Sequence, residues 1–311
     1  MSAAPTPTHF ADRLTAAIRA KGNPVVVGLD PRVESLPPHW LYDDEDYSAV
    51  ALVFADFCRH AIDVVSSLVP AVKPQAAFFE QLGPPGMEAL KRVIDYAADR
   101  GLMVVLDGKR NDIGSTAQGY AEAYLGCGAA SAWGCDALTV SPYLGDDSLT
   151  PFVETAQRQA AGIFVLVKTS NPGGKRFQDL VADGKPVYRH VADYVETMAF
   201  DTKGEGGYGS VGAVVGATYP EQLVELRQAM PHTLFLIPGY GAQGGTAKDC
   251  AAAFDKDGLG AIVNNSRGII FAHSRPEYKD RFGAARWQEA VEAATRDMIA
   301  QLRAETTAGR L

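Results

Sequence analysis

Apolar and polar positions follow two periods along this chain. Short aliphatic runs of strand length recur between longer stretches with helical spacing, as in Val25-Val26-Val27-Gly28-Leu29, Val104-Val105-Leu106 and Ile163-Phe164-Val165-Leu166-Val167. The first helical stretch, Phe10 to Lys21, sets Phe10, Leu14, Ala17 and Ile18 on one face and stops at Gly22. Further helices are predicted over 49–65, 86–100, 116–130, 149–160, 186–200, 220–230 and 246–254, with a short piece at 269–273 and a long polar helix over 284–305. Strands are predicted over 24–29, within 69–79, up to Asp107, and over 136–140, 163–167, 211–215, 234–237 and 260–264. Eight strands alternating with helices in steps of roughly thirty residues point to a (β/α)8 TIM barrel. The barrel reads as a single domain over 1–311, with a short flexible lead-in at Met1 to His9 and a C-terminal helical extension. A doubly wound open sheet is the alternative. Its usual GxGxxG turn is missing, and Gly28-Leu29-Asp30-Pro31 follows the first strand instead.

Composition narrows the function classes. The chain has 311 residues, 47% hydrophobic and 21% charged, which suffices for a large core. A net charge of −8 argues against nucleic-acid binding, while leaving room for a local basic pocket that holds one phosphate. The apolar runs are too short to span a membrane. The N-terminus lacks the basic and apolar regions of a secretory signal, so the chain reads as cytoplasmic. Cys58, Cys127, Cys135 and Cys250 form no CxxC pair and read as reduced packing residues. No HxH or HExxH occurs, and no metal site is expected. The acidic run Asp43, Asp44, Glu45, Asp46 reads as a solvated loop.

The candidate chemistry lies at strand ends. The third strand runs into Asp107, Lys109 and Asp112. Strand side chains alternate, so Asp107 and Lys109 should point the same way. Acid, base and acid on one strand tip are costly in a core and suggest chemistry, although an ion pair capping a strand has the same pattern. In a barrel all strand ends meet in one mouth. Asp30 from strand 1 and Lys73 from strand 2 then become neighbours of Asp107 and Lys109. An ammonium held between carboxylates suits protonation of a carbanion, and the carboxylates keep it charged. The Gly-rich loop from Pro238 to Gly245, with Gly239, Gly241 and Gln243, and the turn Ser266-Arg267-Gly268 follow strands 7 and 8, where barrels often bind phosphate. Ser141-Pro142 and Lys168-Thr169-Ser170-Asn171 would line the same mouth. Lys168 also has the alternatives of a Schiff-base lysine or a plain ion pair. Tyr143 and Phe79 read as packing residues.

These residues resemble the orotidine 5′-phosphate decarboxylase family, in its longer, second bacterial subfamily. The resemblance covers nearly all of the chain from about Phe10 to the eighth strand. Its most specific part is Leu106-Asp107-Gly108-Lys109-Arg110-Asn111-Asp112-Ile113-Gly114-Ser115-Thr116, the family's DxKxxD pattern. Gly28-Leu29-Asp30-Pro31-Arg32, Val72-Lys73-Pro74, Val167 to Gly173, Pro238 to Gly245 and Asn265-Ser266-Arg267-Gly268 support it. Gly114 departs from the commoner subfamily, which has proline there.

The resemblance implies loss of CO₂ from orotidine 5′-phosphate to give UMP, in pyrimidine biosynthesis and without metal or organic cofactor. It implies that Lys109 protonates the carbanion at C6 and that Asp107 faces the departing carboxylate. Lys73 would hold Asp107 and the ribose, Asp30 would bind a ribose hydroxyl, and Arg267 would bind the phosphate. It also implies a homodimer in which Asp112 and Thr116 reach into the partner's site. Two other readings compete. A metal-dependent sugar-phosphate decarboxylase or synthase shares DxKxxD but carries a glutamate on strand 2, where this chain has Lys73. A non-catalytic nucleotide-binding barrel would need no proton donor between acids.

Overall fold

The computed structural model describes residues 9–40, 46–241 and 245–311. Residues 1–8 of the expected lead-in, Asp43, Asp44 and Glu45 of the acidic run, and Gln243 lie outside the described residues. Eight parallel strands close into a barrel: β1 (Val25–Leu29), β2 (Ala71–Pro74), β3 (Met103–Arg110), β4 (Ala137–Val140), β5 (Gly162–Lys168), β6 (Val211–Val215), β7 (Phe235–Ile237) and β8 (Ala261–Asn265). Each strand pairs with its sequence neighbours, and β1 pairs with β8 to complete the ring. Helices connect the strands, including Tyr47–Val65, Gly83–Asp99 and Val187–Asp201.

The core has two layers because each strand buries both faces. The outward face packs against the helices, through residues such as Val25, Val27, Leu90, Val93, Val104 and Leu106. The inward face holds Val26, Ala71, Val105, Ala137, Phe164, Val214, Leu236 and Ile262. The helix Phe10–Lys21 caps the lower end with Phe10, Leu14 and Ile18, and Phe10 meets the Phe164 ring edge-on at 6.1 Å. Gly22, with φ of 64°, ends that helix in the left-handed cap that the sequence predicts.

Going up the barrel, the same inward faces turn from apolar to polar. Val26 gives way to Gly28 and Asp30, Ala71 to Lys73 and Gln75, Val105 to Asp107, Ala137 to Thr139, and Ile262 to Asn264. The period of two therefore builds a dry lower barrel and a charged mouth from the same strands.

Two local features differ from the sequence reading. The predicted helix over 116–130 starts at Gly114 and ends at Tyr124, because Gly126 and Gly128 take φ of 129° and 59°. The segment between β5 and β6 contains a helical turn, Lys175–Gln178, and a small hairpin pairing Val181–Ala182 with Lys185–Pro186. Asp46 caps the helix Tyr47–Val65 by accepting from the Ser48 N–H at 2.9 Å. Among the described residues, no helix is long and apolar enough to cross a membrane.

Candidate active site

A cavity of about 280 Å³ opens at the carboxyl ends of the strands. Its centre is Asp107, buried at the end of β3. One carboxylate oxygen accepts from Lys73 Nζ at 2.7 Å and Gln75 Nε2 at 3.0 Å. The other accepts from Lys109 Nζ at 2.5 Å and Thr139 Oγ1 at 3.0 Å. Burial alone would raise the pKa of Asp107. The Lys73 and Lys109 ammonium groups outweigh it and hold the carboxyl below the ordinary carboxylate range. For Lys73, burial works against the charged form, but the Asp107 and Asp30 carboxylates more than offset it and raise the pKa. Both groups stay charged by facing each other.

The two lysines differ in access to solvent. The Lys73 side chain is 6% exposed, whereas that of Lys109 is 48% exposed. A sealed ammonium suits holding a charge in place. An open one suits giving up a proton and regaining it from water. Lys109 also has an unusual backbone, with φ of 45°. The pairing of β3 with β4 shifts register between Leu106 and Arg110, and this bulge carries Lys109 over the mouth. Its N–H donates to Thr139 Oγ1 at 2.9 Å.

The opposite wall of the cavity comes from β7 and β8. Pro238, Gly239, Asn264, Asn265, Ser266 and Arg267 line it. Gly28 on β1 makes this wall possible, since a Cβ there would stand 1.8 Å from Ser266 Oγ. Arg267 is exposed, and its side chain makes no hydrogen bond or ion pair among the described residues. A free guanidinium at the edge of such a cavity is an anion site of the kind that grips phosphate. Two acceptors in the mouth are buried without partners among the described residues, Asp30 Oδ1 on the β1 side and Asn264 Oδ1 on β8. They suit a ligand rich in hydroxyl or N–H donors.

Several residues singled out from the sequence lie elsewhere. Lys168 does not line the cavity. The pairing of β5 with β6 shifts register between Leu166 and Lys168, so Leu166 faces the cavity and Lys168 turns into the outer layer. There it pairs with Asp179 and sits 5.3 Å from the rings of Tyr188 and Tyr219. Thr169, Ser170 and Asn171 line the cavity in its stead. Ser141 and Pro142 are half-buried above β4 and outside the cavity lining. Gly241, after β7, is exposed and also outside the lining, and its N–H donates to the Gly245 carbonyl at 2.8 Å. Asp112 accepts from the Ile113 N–H at 2.8 Å, Thr116 is exposed, and neither lines the cavity of its own chain. Phe79 is buried in the core, whereas Tyr143 is 72% exposed.

The sequence reading missed Gln75, Thr139 and Asn264. Each is a polar residue on the inward face of an otherwise apolar strand end, the signal that exposed Lys73 and Asp107.

Comparison with known proteins gives a consistent outcome. A family model described as "Orotidine 5'-phosphate decarboxylase / HUMPS family" matches residues 23–279. The orotidine 5′-phosphate decarboxylase of Rhodopirellula baltica is 58% identical over 299 residues, covering 94% of this chain and 99% of that protein. The structure of Leishmania donovani OMP decarboxylase is 31% identical with a TM-score of 0.74, covering 96% of this chain and 98% of that one. Leishmania donovani UMP synthase superposes with a TM-score of 0.76 at 33% identity over 96% of this chain, which spans only 56% of that longer protein. With the strand-end charges, the family match over most of the barrel and these identities, the chain belongs to the orotidine 5′-phosphate decarboxylase / HUMPS family.

Proposed function

We propose that this protein removes CO₂ from orotidine 5′-phosphate to form UMP, a step of pyrimidine biosynthesis. The observation that carries the reading is the alternating array of Lys73, Asp107 and Lys109, with Asp30 beside it, facing an unpaired Arg267 across one cavity. The phosphate would sit at Arg267 and Gly239. The ribose hydroxyls would donate to Asp30, and the ring carboxylate would lie against Asp107. Two unit charges ~4 Å apart at an effective dielectric of ~20 repel by about 4 kcal/mol. That repulsion disappears as neutral CO₂ leaves, while Lys73 and Lys109 offset part of it beforehand.

When the bond from C6 to the carboxylate breaks, its electron pair stays on C6. Lys109 donates a proton to that carbon, and the resulting amine regains a proton from water. A fixed ammonium beside the developing carbanion stabilises it without reorganisation, and this is the main catalytic contribution. Binding energy from the remote phosphate is used at the reacting ring. Each role falls to a side chain of the protein. Lys73 in an ion pair with Asp107 favours this reading over a magnesium-dependent sugar-phosphate enzyme, which needs a carboxylate ligand at that place.

The active unit in this reading is a homodimer. Asp112 and Thr116 lie beyond β3, outside the cavity of their own chain, beside Ile113, which is 58% exposed. Tyr143, on the loop after β4, and Phe177, on the helical turn Lys175–Gln178, form an exposed ring pair. A second copy would cover these apolar groups and receive Asp112 and Thr116 in its own site.

Following the ultraviolet absorbance of orotidine 5′-phosphate tests the activity. Turnover is expected with and without EDTA. Lys109→Ala should lower kcat by roughly 10²–10⁴-fold, the range for a positioned proton donor, while UMP still binds. A wild-type protein without turnover, or near-normal kcat in Lys109→Ala, would sink the reading.

A further inference from the structure

We propose that Arg110 is a positioning residue that holds Lys109 in its proton-donating pose by clamping the bulged end of β3. The inference rests on the decarboxylase reading and extends it to a residue outside the cavity.

Lys109 has a left-handed backbone, with φ of 45°. A side chain with a Cβ keeps that conformation only where its surroundings enforce it. The enforcement acts on one peptide unit, the bond between Gly108 and Lys109. Its N–H donates to Thr139 Oγ1 at 2.9 Å. Its carbonyl accepts from Arg110 Nη1 at 2.8 Å. Thr139 and Arg110 thus grip the two ends of the same peptide plane, and the orientation of that plane sets φ of Lys109.

Arg110 is itself anchored on the far side. Its Nη2 pairs with Glu80 and donates to Tyr124 Oη at 3.3 Å, and the guanidinium carbon lies 5.4 Å from the Tyr124 ring centroid. Glu80 ends the helical turn Ala76–Glu80, which directly follows β2 with Lys73 and Gln75. The clamp therefore ties the end of β3, with Lys109, to the segment after β2, the strand that carries Lys73. Arg110 does not line the cavity of its own chain, so the proposal routes its effect on turnover through Lys109.

The experiment compares Arg110→Met, Arg110→Lys and Glu80→Ala with the wild type for kcat, KM, UMP affinity and thermal unfolding. Arg110→Met is expected to lower kcat by roughly 10- to 100-fold, the scale for displacing a catalytic group by about an ångström. KM and UMP affinity should stay within about threefold, because the phosphate wall is untouched. Arg110→Lys should recover part of kcat, since an ammonium reaches one acceptor and not both. In a Lys109→Ala background, Arg110→Met should add less than about twofold, since both changes act on one group. A purely structural residue would shift the unfolding temperature and leave kcat of the folded enzyme alone. Normal kcat in folded Arg110→Met overturns the proposal, as does full additivity with Lys109→Ala. Should Arg110→Met not fold, Glu80→Ala decides: a fall in kcat of about threefold or more supports the clamp, and an unchanged kcat overturns it. If the wild type itself does not turn over orotidine 5′-phosphate, it is the decarboxylase reading that fails.

Discussion

A carboxylate taken out of water loses several kcal/mol of hydration unless its lone pairs are met. At Asp107 the two lysines, Gln75 and Thr139 meet them. Lys73 depends on the arrangement as much as Asp107 does, since it is the more deeply buried charge. The pKa of Asp107 is lowered on folding, so its contribution to stability is present above the ordinary carboxylate pKa of about 3.9 and is lost as pH falls below it. The pKa of Lys73 is raised, so its contribution is complete below the ordinary lysine pKa of about 10.4 and is lost as pH rises beyond it. Between these limits the pair is fully charged in both states. Asp107→Asn should therefore destabilise the protein by about 3 kcal/mol at neutral pH, the cost of leaving a buried ammonium without its partner. Denaturant unfolding of both proteins across pH checks this. The difference should hold steady from about pH 5 to 9 and shrink on further acidification. A difference that grows below pH 4 would contradict the assignment. The charged members of this group were legible in the sequence, because Lys and Asp are conspicuous in an apolar strand. Gln75 and Thr139 were not, because both are ordinary at strand ends.

At the scale of elements, the mouth depends on how closely strands approach. Gly28 sits in register with Lys73 and faces Ser266 and Asn264 from β8. Any side chain at position 28 must displace Ser266, which adjoins Arg267. Gly28→Ala is expected to raise KM for orotidine 5′-phosphate by roughly tenfold and to cost about 1–3 kcal/mol of stability, the usual range for overpacking. Steady-state kinetics and thermal unfolding measure both effects, and an unchanged KM would mean that the β8 wall does not touch the substrate. Two other elements were read less well. The helix after β3 stops at Tyr124, and Lys168 leaves the mouth through the shift in β5. In both places one or two residues in special backbone conformations outweigh a periodic pattern.

For the whole molecule, an acidic protein binding an anionic nucleotide needs its positive charge gathered in one place. The net charge is −8, yet Lys73, Lys109 and Arg267 meet in a single cavity. The segment after β3 projects Asp112 and Thr116 away from that cavity, and the dimer proposed above gives them a role. Mixing Lys109→Ala with Asp112→Ala subunits tests it. Random pairing makes half of the dimers mixed, and each mixed dimer holds one intact site of two. Activity should return to about a quarter of wild type if the sites are shared across a symmetric dimer. No recovery in a verified mixed dimer would remove Asp112 from the partner's site.

The sequence by itself determined the order of eight strands and their helices, because periods of two and 3.6 are local properties of the chain. It also located the chemistry, because charged residues stood where apolar strands ended. Only the tertiary structure decided which of those residues enter the cavity. Lys109 stands beside Asp107 as strand alternation predicts, whereas a register shift in β5 turns Lys168 out of the mouth to Asp179. Such shifts come from pairing between strands far apart in the sequence, as Leu166 is from Val214. A strand's own pattern does not record them, since one inserted residue moves every later side chain to the other face.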